Sequence, residues 1–143
     1  MSAYVASRTR HGAMWRRLRE AGHVITSSWI DEADEGQTDD FGELWLRIEE
    51  EIATSDVLVF YGEPLDFVEG GGMKGAFVEV GLALAYDVPV VMCLPGVRLL
   101  GRTCRPVGSW IRHPLVTARR DVVTEALAWR GEREEISAGE TTT

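Results

Sequence analysis

Glu79 is the residue in this sequence that most demands a chemical explanation. It lies among Phe77, Val78, Val80 and Leu82, one turn into an otherwise apolar stretch. A carboxylate in such surroundings is paired, neutral or in use, because burying an unpaired charge is costly. Burial raises its pKa and nearby donors lower it. A core-edge Glu that caps a loop or pairs with an Arg is the plain alternative. Two further clusters carry the right residue types. Ser7, Arg8, Arg10 and His11 follow the apolar Tyr4-Val5-Ala6 and offer a sugar floor and an anion site at the start of a helix. A solvated basic loop explains them equally well. Gly70-Gly71-Gly72-Met73-Lys74-Gly75 leads into the Glu79 helix. Glycines there let backbone N–H groups approach a ligand, the helix N-terminus favours negative charge, and Lys74 reinforces a phosphate contact. The Gly-Lys-Ser/Thr ending of a Walker loop is missing, and a flexible turn is the competing explanation. Asp56, which opens an apolar run, is one more candidate acid.

Other chemistries find little support. His11, His23 and His113 are scattered without ligand spacing, so no metal site is expected. Cys93 and Cys104 form no metal or redox motif, and Cys93 in its apolar run reads as a buried free thiol. Ser27 and Ser28 lack the glycines of a nucleophile elbow. No cofactor is called for. The Trp residues sit at core spacing, with Trp29 and Trp45 the candidates for a ligand surface.

The elements that must position these residues alternate between strand and helix. Tyr4–Ser7 reads as a first strand. Residues 13–21 show helical spacing through Met14, Trp15, Leu18 and Ala21, with Gly22 as the stop. His23–Trp29 is expected to be a second strand, leading into an acidic loop from Asp31 to Asp40. Leu44, Trp45, Ile48 and Ile52 define an amphipathic helix between Phe41 and Thr54. Asp56–Tyr61 and Pro89–Leu94 are near-continuous apolar runs, the signature of central parallel strands. Between them lies a helix over 74–86. Leu115–Thr117 is expected as a last short strand and Asp121–Arg130 as a final helix. Residues 131–143 are polar and expected to be a disordered tail. Strands joined by connections too long for hairpins mean a parallel sheet covered by helices. The fold expected is therefore α/β, a single-domain three-layer parallel sheet of flavodoxin-like or Rossmann-like type over residues 1–130. Ligands of such sheets bind beyond the carboxyl ends of the strands. That rule selects the loops Ser7–Gly12, Trp29–Asp40, Tyr61–Gly72 and Leu94–Gly108.

A chain of 143 residues suits one core. Its net charge of −8 argues against binding a nucleic acid polymer or a membrane surface. Acid is concentrated between residues 31 and 69, while residues 1–22 and 70–130 are mildly basic, so a small anion fits better than a polyanion. No apolar run is long enough to span a bilayer. The start of the chain lacks a basic segment leading into an apolar one, and a cytoplasmic location is expected.

The segment Glu79-Val80-Gly81-Leu82-Ala83-Leu84-Ala85, followed by Val88-Pro89-Val90-Val91, resembles the Glu-hydrophobic-Gly-x-Ala segment of nucleoside 2-deoxyribosyltransferases and of the related deoxynucleoside 5′-monophosphate N-glycosidases. Tyr4-Val5-Ala6-Ser7 resembles the opening strand of that superfamily, and Asp56-Val57-Leu58-Val59 the strand that carries a substrate-contacting Asp. The likeness covers roughly residues 4–94. It implies that Glu79 attacks C1′ of a (deoxy)ribose as the base departs, and that water or another base resolves the glycosyl-enzyme. It also implies that Tyr4 orients Glu79 or packs beside the sugar, and that Asp56 binds a sugar hydroxyl or protonates the base. It implies a homodimer or larger homo-oligomer acting on a small-molecule nucleoside or nucleotide. Six residues before Glu79 the transferases carry Asp and the monophosphate hydrolases Ser. Here that residue is Met73, with Asp66 or Glu69 as possible replacements. Arg8, Arg10, His11 and Lys74 favour a 5′-phosphate, and Ser109-Trp110-Ile111-Arg112 resembles a segment that reaches a neighbouring subunit. Two alternatives stay open. Gly71-Gly72…Gly75…Glu79 also resembles the Gly-Gly-x-Gly-Thr-x-x-Glu motif of lysine-decarboxylase-like phosphoribohydrolases, with Ala76 at the Thr position. A non-catalytic nucleotide-binding or interaction module on the same fold is the other.

Overall fold

The computed structural model describes residues 1–33, 36, 38–68 and 73–139. Four parallel strands, β1 (Ala3–Ala6), β2 (Val57–Tyr61), β3 (Val90–Cys93) and β4 (Val116–Arg119), form one sheet in the order β1-β2-β3-β4. The first three are buried along their whole length, as expected of strands covered on both faces. Tyr4 pairs with Leu58 and Ala6 with Phe60, so Tyr4, Leu58 and Phe60 share one face of the pleat. Val5, Val59 and Tyr61 point to the other.

Helices α1 (Gly12–Glu20), α2 (Phe41–Ala53), α3 (Lys74–Ala85) and α4 (Val123–Ala128) complete the layers. α3 crosses the Tyr4 face and packs on α2, with Phe77 stacked on Phe60. α1 lies on the opposite face, where its buried Trp15 meets Tyr61 edge-on. The backbone of α1 also comes close to the loop after it. A Cβ on Gly12 would sit 2.7 Å from the Cβ of Ala33, so any larger residue there must push the two apart. Asp40 starts α2 by accepting a 3.1 Å hydrogen bond from the Glu43 N–H, and Gly22 with φ of 108° follows the end of α1.

The second strand expected over His23–Trp29 is reduced to a single parallel bridge between Ile25 and Ala3. Ala3 donates to the Val24 carbonyl and Thr26 to the Ala3 carbonyl, and there the ladder stops. Side chains then take the place of backbone. The Val5 N–H donates to Ser27 Oγ at 2.7 Å, and Trp29 Nε1 donates to the Val5 carbonyl at 2.9 Å. Buried Val5 is thereby satisfied without a strand beside it. The chain is free to turn into a short 3-10 segment at Ser28–Asp31. Counting this remnant, the order across the sheet is the doubly wound pattern in which the second strand lies outside the first.

The remaining elements fall within a few residues of their expected positions. Beyond Gly131, where a disordered tail was expected, the chain makes contacts as far as Gly139. The Glu134 N–H donates to the Thr117 carbonyl, Ile136 is buried, and Gly139 bridges Leu100. No helix among the described residues is long and apolar enough to cross a membrane.

Candidate active site at the carboxyl edge of the sheet

Tyr4 and Glu79 meet because both the pleat and the helix direct them to the same place. β1 turns Tyr4 towards α3, and α3 brings Glu79 down one turn after its start. The Tyr4 hydroxyl donates to Glu79 Oε2. Tyr4 is wholly buried and Glu79 is 6% exposed. Burial pushes the Glu79 carboxyl up to about 8, only partly opposed by the Tyr4 hydroxyl, and the negative charge of Glu51 adds to the rise. Burial also holds the Tyr4 phenol well above its ordinary value, and the neighbouring Glu79 reinforces this. At neutral pH Glu79 therefore keeps its proton most of the time.

Glu79 opens onto a cavity of about 370 Å³, within the ~300–1,000 Å³ usual for small-molecule sites. The loop after β1 supplies Ser7, Arg8 and Thr9, and the start of α3 supplies Gly75 and Ala76, with Met73 just before it. The third wall comes from Trp29, Glu32 and Thr38 and from Phe41 and Trp45 of α2. Ser7 is fixed in place, donating to the Arg8 carbonyl at 3.0 Å and accepting from Trp15 Nε1 at 2.9 Å.

Several expected site residues are placed elsewhere. Arg10 and His11 turn away from the cavity towards Asp66, which is fully buried in the turn after β2. Arg10 Nε lies 2.7 Å from Asp66 Oδ1, and His11 Nε2 lies 2.8 Å from Oδ2. The Glu63 N–H donates to the same carboxylate at 2.8 Å. Burial pushes Asp66 up, but these donors outweigh it and hold the carboxyl below its ordinary value. Asp66 is thus engaged with Arg10 and His11 and does not substitute for the acid that Met73 lacks. Lys74 is exposed at the start of α3 and is not part of the cavity wall. Gly71, Gly72 and Glu69 lie outside the described residues.

Asp56 is a clear correction. It precedes β2 and therefore sits at the amino edge of the sheet, opposite the cavity. There it accepts from the Ser2 N–H at 2.6 Å and lies 3.9 Å from the amino terminus. It is half-exposed and not brought to Glu79. Trp110 packs edge-on against Phe60 and Phe77, and Ile111 is buried.

For the third wall of the cavity the sequence pointed to the loop Trp29–Asp40 and to Trp29 and Trp45, but not to Glu32 or Thr38 as residues that face a ligand. Its signal in the sequence was weak: an acid in an acidic loop, and aromatic residues at core spacing. Among the described residues no group of three His, Cys, Asp or Glu side chains is arranged to hold a metal ion.

No protein-family model matches the sequence, and no curated protein matches it. Among solved structures, the chain is similar to a 2-deoxyribosyltransferase from the psychrotolerant bacterium Bacillus psychrosaccharolyticus, described as a biocatalyst for the synthesis of antiviral and antitumoral nucleosides. The TM-score is 0.59, at 15% identity, over 90% of this chain and 92% of that chain. The two chains share a fold. At that identity the likeness extends to the architecture, and the chemistry must be argued from the cavity itself.

Proposed function

We propose that this protein cleaves or transfers the N-glycosidic bond of a nucleoside or nucleoside 5′-monophosphate, with Glu79 as nucleophile. The observation that carries the proposal is the buried Glu79–Tyr4 pair facing a nucleoside-sized cavity at the carboxyl edge of the sheet. The shared fold with a 2-deoxyribosyltransferase adds support.

With Oε2 held by the Tyr4 hydroxyl, Oε1 is the oxygen left to attack. A bond forms between Oε1 and C1′ while the C1′–N bond breaks, and its electron pair leaves with the base, which takes a proton from water. Positive charge at the anomeric carbon is greatest between these events, where a carboxylate stabilises it most. Water, or the nitrogen of a second base, then attacks C1′ and releases Glu79. Tyr4 acts as a positioning residue and keeps one carboxylate oxygen occupied. Because the attacking form is the carboxylate, the reaction must speed up as Glu79 ionises. Among the described residues Arg8 is the cation on the cavity wall, since Arg10 and His11 bond Asp66 and Lys74 is not part of that wall, so contact with a 5′-phosphate would fall to Arg8.

One observation favours a binding module without catalysis. Met73 is 3% exposed on the cavity wall and places a thioether where an acid or hydroxyl was expected. The deciding experiment is base release from a panel of nucleosides and 5′-monophosphates, with and without an acceptor base, for the wild type and Glu79→Ala. Free base from the wild type alone supports the N-glycosidic reading. Binding without release from any substrate favours the module.

A further inference from the structure

The cavity wall formed by Trp29, Glu32 and Thr38 carries a second carboxylate, Glu32, and its surroundings differ from those of Glu79. Thr38 Oγ1 donates to Glu32 Oε1 at 2.8 Å, and Arg47 Nη1 lies 2.9 Å from Oε2. Arg47 is itself fixed by two bonds to Glu43, at 2.8 and 3.0 Å, and by donation to Ser28 Oγ at 2.6 Å. The hydrogen bonds from Arg47 and Thr38 hold the Glu32 carboxyl below its ordinary value, so it is ionised at neutral pH. Each oxygen keeps a further lone pair for a ligand.

We propose that Glu32 sets base choice in this cavity, selecting bases that present an exocyclic amino group over those that present a carbonyl oxygen in the same place. The inference rests on the N-glycosidic reading of the site and extends it to the leaving group. If Glu79 holds the sugar, the base occupies another part of the same cavity, where the wall is made of aromatic residues and Glu32. Trp29 and Trp45 supply flat apolar surface for a ring. Trp29 offers no donor there, since its N–H is bonded to the Val5 carbonyl. Thr38 likewise points its proton at Glu32. Among the described residues of this wall, the polar feature is thus a fixed anion that accepts hydrogen bonds. An amino group of adenine or cytosine satisfies it. The carbonyl oxygen that replaces that group in hypoxanthine or uracil meets negative charge and brings no donor to the remaining lone pairs of Glu32. Uracil does carry a ring N–H, but carbonyl oxygens flank it on both sides and repel the carboxylate.

The test uses two matched pairs of nucleosides, adenine against hypoxanthine and cytosine against uracil, on the full chain. Base-release kcat/KM and equilibrium binding by tryptophan fluorescence are both measured, for wild type and Glu32→Gln. The amino member of each pair is expected to be favoured about 10- to 100-fold in the wild type, the usual worth of one well-placed base contact. In Glu32→Gln, whose amide both donates and accepts, the preference is expected to shrink to within about threefold. Thr38→Val, which removes one support of Glu32, is expected to reduce the preference by less and serves if Glu32→Gln fails to fold. Equal use of both members by the wild type, or an unchanged preference in the variants, overturns the proposal. Binding of none of the four by the wild type overturns it as well. Amino-selective binding without base release upholds the role of Glu32 and removes the N-glycosidic reading. Release without selectivity does the reverse.

Discussion

Glu79 and Asp66 are both buried carboxylates near the carboxyl edge of the sheet, yet their surroundings drive them in opposite directions. Asp66 receives Arg10, His11 and a backbone N–H, and its pKa falls despite burial. Glu79 receives one neutral hydroxyl, and burial carries its pKa up to about 8. The partners, together with how deeply protein surrounds the group, decide whether a buried acid is a fixed charge or a group that can change state. Asp66 ties the first loop to the loop after β2 and holds no access to the cavity. Glu79 faces the cavity and has a proton to lose. Perturbed groups of the second kind are the ones expected at reactive sites.

Removing each carboxylate separates the two roles most sharply. Glu79→Ala is expected to lower base release by at least about a thousandfold, as for loss of a covalent nucleophile. Its urea midpoint at pH 7 should fall little, because no charged partner is left behind. Asp66→Ala is expected to do the opposite in kind. It removes the short bonds to His11 and half-exposed Arg10, which keep longer contacts to Glu63 at 3.9 and 3.8 Å, and should cost about 3 kcal/mol in urea unfolding. Any loss of activity in the folded Asp66→Ala protein should be modest by comparison. Nearly equal activity losses in the two variants would erase the distinction.

Tyr4→Phe probes the one support that Glu79 has. Loss of the hydroxyl should reduce kcat/KM about 10- to 100-fold and move its rising pH limb to higher pH. The shift of the limb is the part that a purely structural role would not produce.

The same contrast is expected in the slope of stability against pH. The native Glu79 carboxyl titrates near 8, against 4.5 for the exposed group. Between those values the folded protein binds more protons than the unfolded chain, so this contribution is present at low pH and lost as pH rises towards 8. The slope is up to about 1.4 kcal/mol per pH unit, and Glu79→Gln should abolish it. Asp66 acts in the other sense: its native pKa is lowered, so its contribution is present above the unfolded value of 3.8 and lost in acid. Unfolding by chemical denaturant at several pH values, for wild type and both variants, distinguishes the two trends.

Much of this arrangement could be read in the sequence, and the failures have physical causes. The apolar runs at β2 and β3 and the spacing of α2 are local patterns, and they placed those elements within a residue or two. That Tyr4 orients Glu79 was implied by the resemblance to the 2-deoxyribosyltransferases and by no local pattern, since the two residues lie 75 apart in the chain. The same rule argues against Asp56, since a residue that opens a strand lies at the wrong end of it. Arg10 and His11 looked available because their partner, Asp66, is more than fifty residues away. The second strand was overestimated because Ser27 and Trp29 bond Val5 through their side chains, which no alternation of residue types reveals. Glu32 was hidden in an irregular acidic loop, where only the fold shows which acid faces the cavity.

The central claim, that Glu79 forms a bond to the sugar, is tested most directly by acid-quenching the protein during turnover of a 2′-deoxynucleoside without acceptor base and mapping the modified peptide by mass spectrometry. A deoxyribosyl adduct on the peptide from α3, located at Glu79 and absent from Glu79→Ala, is the predicted result. Base release with no adduct on that peptide, or an adduct that persists in Glu79→Ala, would contradict it.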